Sequence, residues 1–331
     1  MSWDHAYGAL LGVLCGDAAG APLEFARSKI TERDVDKAVQ MPGGGIFKVG
    51  PGQITDDSEL ALALARGLVG QAPTDGFPLE SVASQYHQWF ESDPYDIGNT
   101  CSTAFNVSSV DGSYARAMIN AAAKFNTQSE ANGSLMRVLP LAIWAFTQPD
   151  STLVALAREE ARLSHPSVVC QDSNAVYCLL VAHLIRHPGD AVGAVARAER
   201  FVLDHVNSSV RDWFLTESLD VAGIDCTRSI GHVRWAFVLA IHHLRNRTPY
   251  EEGIRRTLLL GGDTDTNAAI VGGVLGALHG QAAIPEFMKR PVLTFDCVRA
   301  TSGRRRPHTC LAAQAEGLVR ELLRSPDRAG S

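Results

Sequence analysis

Gly8, Gly12, Gly16 and Gly20 recur every fourth residue near the start of the chain. Gly272, Gly276 and Gly280 do the same near its end. Residues four apart share one face of an α-helix. Glycine inside a helix costs about 1 kcal/mol relative to alanine, so a stripe of glycines is expected where another backbone approaches closely. Membrane helices use the same spacing, but both runs are too short and too polar at their ends for that. Both helices are therefore expected at the crowded centre of a bundle. Gly20 and Gly280 also fit as helix ends.

The rest of the chain supports a helical reading. "LALALARGLV" alternates in period two on paper, yet Leu and Ala lack the β-branching that suits strands. "ARAMINAAAKF", "LMRVLPLAIWAF", "NAVYCLLVAHLIRH" and "RWAFVLAIHHL" read as further helices, separated by Pro/Gly punctuation. No sheet pattern and no repeat of 20 to 50 residues emerges. A single domain over 1–325 is expected, with a frayed tail over 326–331. At 331 residues, 46% hydrophobic and 20% charged, the chain can bury a sizeable core.

Two acidic clusters stand at helix entrances: "ITDDSELALALA", with Thr55, Asp56 and Asp57, and "GGDTDTN", with Asp263, Asp265 and Thr266. Thr and Asp cap helices and complement the helix dipole, and one such residue per helix needs no further explanation. Two aspartates plus a threonine, twice, exceed what capping requires. Four carboxylates brought together repel, and two divalent cations would cancel their charge. Carboxylate and hydroxyl oxygens suit Mg²⁺, Mn²⁺ or Ca²⁺ rather than zinc, so a metal site is favoured over capping.

Other motifs fit less well. Asp263, Asp265 and Asn267 match the first ligands of an EF-hand, but Ala268 and Val274 stand where Gly and Glu are required. Asn267 also breaks the D-x-D-x-T pattern of aspartyl-phosphate enzymes. There is no H-E-x-x-H, Ser58 lacks a nucleophile elbow, and the glycines of "GVLCGDAAG" follow no strand.

In this order, "GVLCGDAAGAPLEF", "GQITDDSELALALA", "YDIGNT", "NGSLMRVLPLA", "LSHPS" and "LLLGGDTDTNAAIVGGVLGALHG" resemble the ADP-ribosylglycohydrolases, from about Tyr7 to Gly280. The similarity is greatest to the bacterial branch that includes dinitrogenase reductase-activating glycohydrolase, with ADP-ribosylarginine hydrolases more distant. The resemblance implies an all-α, single-domain orthogonal multi-helix bundle with a centre of two Mg²⁺ or Mn²⁺ ions. It implies Thr55, Asp56, Asp57, Asp263, Asp265 and Thr266 as metal ligands. Glu24 and Asp96 are implied as the catalytic carboxylates, and Asn99, Thr100, Gly133, Ser134 and His165 as lining of an ADP-ribose cleft. Gly133 and Ser134 would offer N–H groups to the pyrophosphate if they open a helix. His232 stands beside the glycine of "GHV", where relatives often carry tyrosine. It is open between a stacking role and an ordinary core or surface histidine.

The activity so implied is metal-dependent cleavage of the bond between ADP-ribose and arginine side chains of modified proteins, with ADP-ribose as product. The alternatives are another linkage (serine, O-acetyl-ADP-ribose or a nucleic-acid base) or a silent ADP-ribose-binding protein. Intact ligands and Glu24 favour an enzyme. A net charge of −6 argues against nucleic acid and anionic membrane as partners. "SGRRRP" at Ser302 to Pro307, the one basic run, reads as a solvated loop. Asp4 and the absence of an early basic residue argue against a signal peptide, and no stretch reads as a membrane span. Seven scattered cysteines without C-x-x-C point to free thiols in the cytoplasm. A monomer is expected.

Overall fold

The computed structural model describes residues 2–26 and 28–324; the expected tail lies outside them. Among the described residues the regular structure is helical, with three isolated bridges and no strand. One hydrophobic cluster runs from Ala6 to Leu322, so the chain folds around a single core. The all-α, single-domain expectation holds.

The glycine stripes meet at the centre. The N-terminal helix, Ser2–Gly20, packs antiparallel against the helix Thr264–His279. Gly8 faces Gly276, Gly12 faces Gly272, Gly16 faces Ala268 and Gly20 faces Asp265. A methyl group on Gly8 would stand 2.6 Å from the Gly276 carbonyl oxygen, and one on any of the other three would overlap backbone still more. Buried tyrosines tie the pair. Tyr250 Oη donates to the Gly12 carbonyl and Tyr177 Oη to that of Ile270, each at 2.8 Å. Thr264 Oγ1 donates to the Gly20 carbonyl at 2.9 Å. The stripe therefore places the end of the first helix beside the start of the second. Gly20 both ends its helix and makes this contact, while Gly280 is the left-handed cap of its own (φ 77).

Two features depart from expectation. "LMRVLPLAIWAF" is not one helix: after a 3-10 turn, Asn132–Ser134, its first four residues, Leu135–Val138, are not helical, and only Leu139–Trp144 forms a short helix. Pro140 lacks an N–H and suits a first helical turn, so the α-helix starts there. Second, Ser2–Leu23 and Val168–Arg186 are long and apolar enough to cross a membrane by composition, but 89% and 83% of their most apolar windows are buried inside the protein.

Candidate functional site

The helix Asp56–Leu68 begins against the C-terminal half of Ser2–Gly20. Its N-cap residue, Thr55, makes no capping bond of its own. Asp17 supplies the cap from the neighbouring helix. Its carboxylate accepts from Thr55 N at 3.0 Å, Thr55 Oγ1 at 2.9 Å and Ser58 N at 3.2 Å. Asp263, N-cap of Thr264–His279, likewise makes no capping bond. It accepts instead from Asn132 Nδ2 at 2.8 Å. Capping thus does not account for Asp56, Asp57 or Asp263. Gly261 and Gly262 precede Asp263 in left-handed conformation (φ 69 and 76), and a side chain on Gly262 would strike the Cys226 carbonyl. The double glycine turns the chain abruptly enough to aim the acidic segment inward.

Both acidic segments open into one cleft of about 600 Å³. Of the residues expected at the site, Glu24, Asp56, Asp57, Asp96, Asn99, Thr100, Gly133, His165, Asp263, Asp265 and Thr266 line it. Three others do not. Thr55 lies beneath the floor, bonded to Asp17. Ser134 is buried behind the wall, where its Oγ donates to Asn174 Oδ1 at 3.3 Å. His232 caps the helix Val233–Arg245 by accepting from Arg234 N at 3.1 Å, and its Nε2 lies 3.1 Å from Glu130. Its neighbour Gly231 lines the cleft instead. Gly133 and Ser134 sit in the 3-10 turn, so they do not open an α-helix toward a ligand.

Sequence reasoning missed Asp17 and the aromatic and apolar lining from Phe25, Phe47, Tyr95 and Ile230. Asp17 carried a signal: a carboxylate inside an otherwise apolar, fully buried helix segment is rarely incidental.

The carboxylates converge in two groups. Oxygens of Asp17, Asp57 and Asp265 lie within 4.8 Å of one another, as do those of Glu24, Asp96 and Asp265. Among the described residues no lysine or arginine lines the cleft. Burial, reinforced by neighbouring carboxylates, lifts Asp56, Asp57 and Asp265 well above the usual range. Burial raises Asp17 to about 6 despite its hydrogen bonds. Glu24 is pushed up to about 9 by burial and then by Asp96 and Asp263. Asp96 reaches about 7 through burial and Asp263. Asp57 Oδ1 and Glu24 Oε2 are buried without a hydrogen-bond partner, a costly condition unless something binds them. An all-oxygen donor set with orphaned, mutually repelling carboxylates fits hard divalent cations.

The far wall rests on a fully buried ion pair. Arg137 Nε donates to Glu160 at 2.6 Å, and Nη1 to the Gly133 carbonyl at 3.1 Å. Tyr86 Oη also donates to Glu160, at 2.7 Å. His165 Nδ1 pairs with Ser164 Oγ at 2.8 Å, while its buried Nε2 has no partner. Burial and then the Arg137 charge hold this imidazole well below its ordinary pKa, hence neutral.

Comparison with known proteins shows what the chain is similar to. The chain is 28% identical over 285 residues to ADP-ribosyl-[dinitrogen reductase] glycohydrolase of Rhodospirillum rubrum, covering 85% of this chain and 88% of that one. It is 29% identical over 288 residues to ADP-ribosylarginine hydrolase Tri1 of Pseudomonas putida, covering 85% and 72%. A solved structure described as an ADP-ribosylglycohydrolase-related protein complex superposes with a TM-score of 0.75 at 26% identity, over 98% of each chain. The ADP-ribosylglycohydrolase family profile matches residues 2–324, and the chain therefore belongs to this family of metal-dependent hydrolytic enzymes.

Proposed function

We propose that this protein hydrolyses the N-glycosidic bond between ADP-ribose and arginine side chains of modified proteins. The observation that carries the reading is the meeting of Glu24, Asp96 and Asp265 within 4.8 Å in a cleft that no lysine or arginine lines among the described residues. Its acidic lining suits a basic guanidine leaving group. The relatives ADP-ribosyl-[dinitrogen reductase] glycohydrolase and ADP-ribosylarginine hydrolase support removal of ADP-ribose, and the second supports the arginine linkage.

Asp56, Asp57, Asp263, Asp265 and Thr266 would hold two Mg²⁺ or Mn²⁺ ions, while Thr55, beneath the floor, donates to Asp17 and Asp57 and so orients the latter. Bound there, the cations supply neutralising charge and Lewis acidity toward the ribose diol and water. The residues of the chain do the rest. Glu24 and Asp96 form the acid–base pair for an oxocarbenium-like reaction at ribose C1″. Burial and the neighbouring carboxylates push both groups up in the cation-free protein, and bound cations would lower both again. Neutral His165 offers its free Nε2 to a ligand hydroxyl or phosphate oxygen. Asn99, Thr100 and the backbone at Gly133 line the remaining length of ADP-ribose. Seven free, buried cysteines fit a cytoplasmic enzyme.

The test is incubation with ADP-ribosyl-arginine and ADP-ribosyl-serine peptides, with Mg²⁺ or Mn²⁺ and with chelator. Release from arginine alone, and only with metal, is expected. Release from serine would replace the linkage, and tight ADP-ribose binding without turnover would replace the enzyme with a binding protein.

A further inference from the structure

The basic run at Arg304 to Arg306 is only in part the solvated loop its sequence suggests: Arg304 and Arg305 are exposed, whereas Arg306 is not. Arg306 is buried, and each nitrogen of its guanidinium donates. Nε and Nη2 reach the Glu59 carboxylate at 2.9 Å. Nη1 reaches the carbonyls of Ser92 at 2.8 Å and Asp93 at 3.1 Å, and Nη2 also reaches Ser92 Oγ at 2.9 Å. Trp89 Nε1 completes the cluster by donating to Glu59 at 2.7 Å. Arg304 extends the strap. Its backbone N–H and carbonyl both bond to the Gln53 side chain, and its Nε donates to the Phe47 carbonyl at 2.6 Å.

The ends of these bonds matter. Glu59 lies on the helix that opens with Asp56 and Asp57. Ser92 and Asp93 form the turn that leads into Asp96. Asp93 is left-handed at φ 55, a conformation a non-glycine residue keeps only where its surroundings impose it. Past the turn, Tyr95 Oη donates to the Ile54 carbonyl at 2.7 Å, one residue before Thr55. The strap and Tyr95 thus fasten the Asp96 segment to the start of the metal-binding helix from two sides.

We infer that Arg306 is a positioning residue for hydrolysis: by locking the Ser92–Asp93 turn to Glu59, it sets where Asp96 stands relative to the carboxylates of the cleft floor. The inference rests on the reading of Asp96 as a group acting at the scissile bond. Arg306 itself touches neither the cleft nor the expected metal ligands. A misplacement of about 1 Å at a reacting group costs about 100-fold in rate, which sets the size of the effect.

Arg306→Lys keeps the charge opposite Glu59 but not the planar fork that spans carboxylate and carbonyls. The measurement is single-turnover release of labelled ADP-ribose from an ADP-ribosyl-arginine peptide, with the full chain in excess. Four proteins are compared: the unmutated chain, Arg306→Lys, Asp96→Asn and the double variant. Arg306→Lys is expected to slow release about 10- to 100-fold with KM and Mn²⁺ affinity unchanged, and to add nothing in the Asp96→Asn background. An equal fractional loss in both backgrounds, or an unimpaired Arg306→Lys enzyme, overturns the inference. An Asp96→Asn enzyme at full rate would instead sink the role given to Asp96, and the strap with it. Should Arg306→Lys not fold, Ser92→Ala removes one acceptor and spares the ion pair. A smaller loss that also vanishes with Asp96→Asn is then expected, and an additive loss overturns the inference.

Discussion

Asp17 shows how much one buried carboxylate can do. It closes the N-terminus of a helix to which it does not belong, and so leaves Thr55, Asp56 and Asp57 free of capping duty. Asp17→Asn keeps the shape but weakens acceptance from three donors. Removing a cap costs about 1 kcal/mol, so a modest fall in stability is expected. A larger fall in Mn²⁺ affinity should accompany it, read by calorimetric titration beside thermal denaturation. Affinity that falls no more than stability would limit Asp17 to a structural role. Asp265→Ala should abolish turnover while circular dichroism shows the helices intact. These residues differ in legibility. Asp265 announced itself because adjacent acidic residues at a helix start exceed what capping needs. The capping role of Asp17 is silent in the sequence, because its partners lie 38 and 41 residues away. Arg306 gave no local signal, since the carboxylate that buries it is 247 residues distant.

At the scale of elements, the glycine contact between Ser2–Gly20 and Thr264–His279 places the acidic segments. Backbones this close leave no room for a methyl group, so Gly12→Ala is expected to destabilise the protein by about 3 kcal/mol, with the loss read from denaturant midpoints. Wild-type stability would contradict the packing. This part of the fold was readable from spacing alone, because glycine's cost inside a helix demands a compensating neighbour. The late start of the helix at Leu139, after the 3-10 turn Asn132–Ser134 and the non-helical Leu135–Val138, was not, because "LMRVLPLAIWAF" carries helical periodicity from Leu135 onward. The loss is local, but it moves Ser134 behind the wall and leaves Gly133 in the cleft.

The whole molecule carries a charge problem at its centre that binding must relieve. Asp96 at about 7 and Glu24 at about 9 stand above their unfolded values near 4. Between about pH 4 and pH 9 the folded, cation-free chain therefore binds more protons than the unfolded one, and its stability falls as pH rises. Chelated protein should melt at progressively lower temperature from about pH 5 to about pH 9, and Mg²⁺ or Mn²⁺ should flatten that slope. A chelated protein whose melting temperature rises across the window would contradict this. The proposed site depends above all on two segments some two hundred residues apart sharing their cations. Mn²⁺ titration of the purified chain, beside Asp57→Ala and Asp265→Ala, tests that most directly. Two bound ions are predicted, with affinity lost when either segment is cut back. Unchanged Mn²⁺ binding in both variants would contradict it.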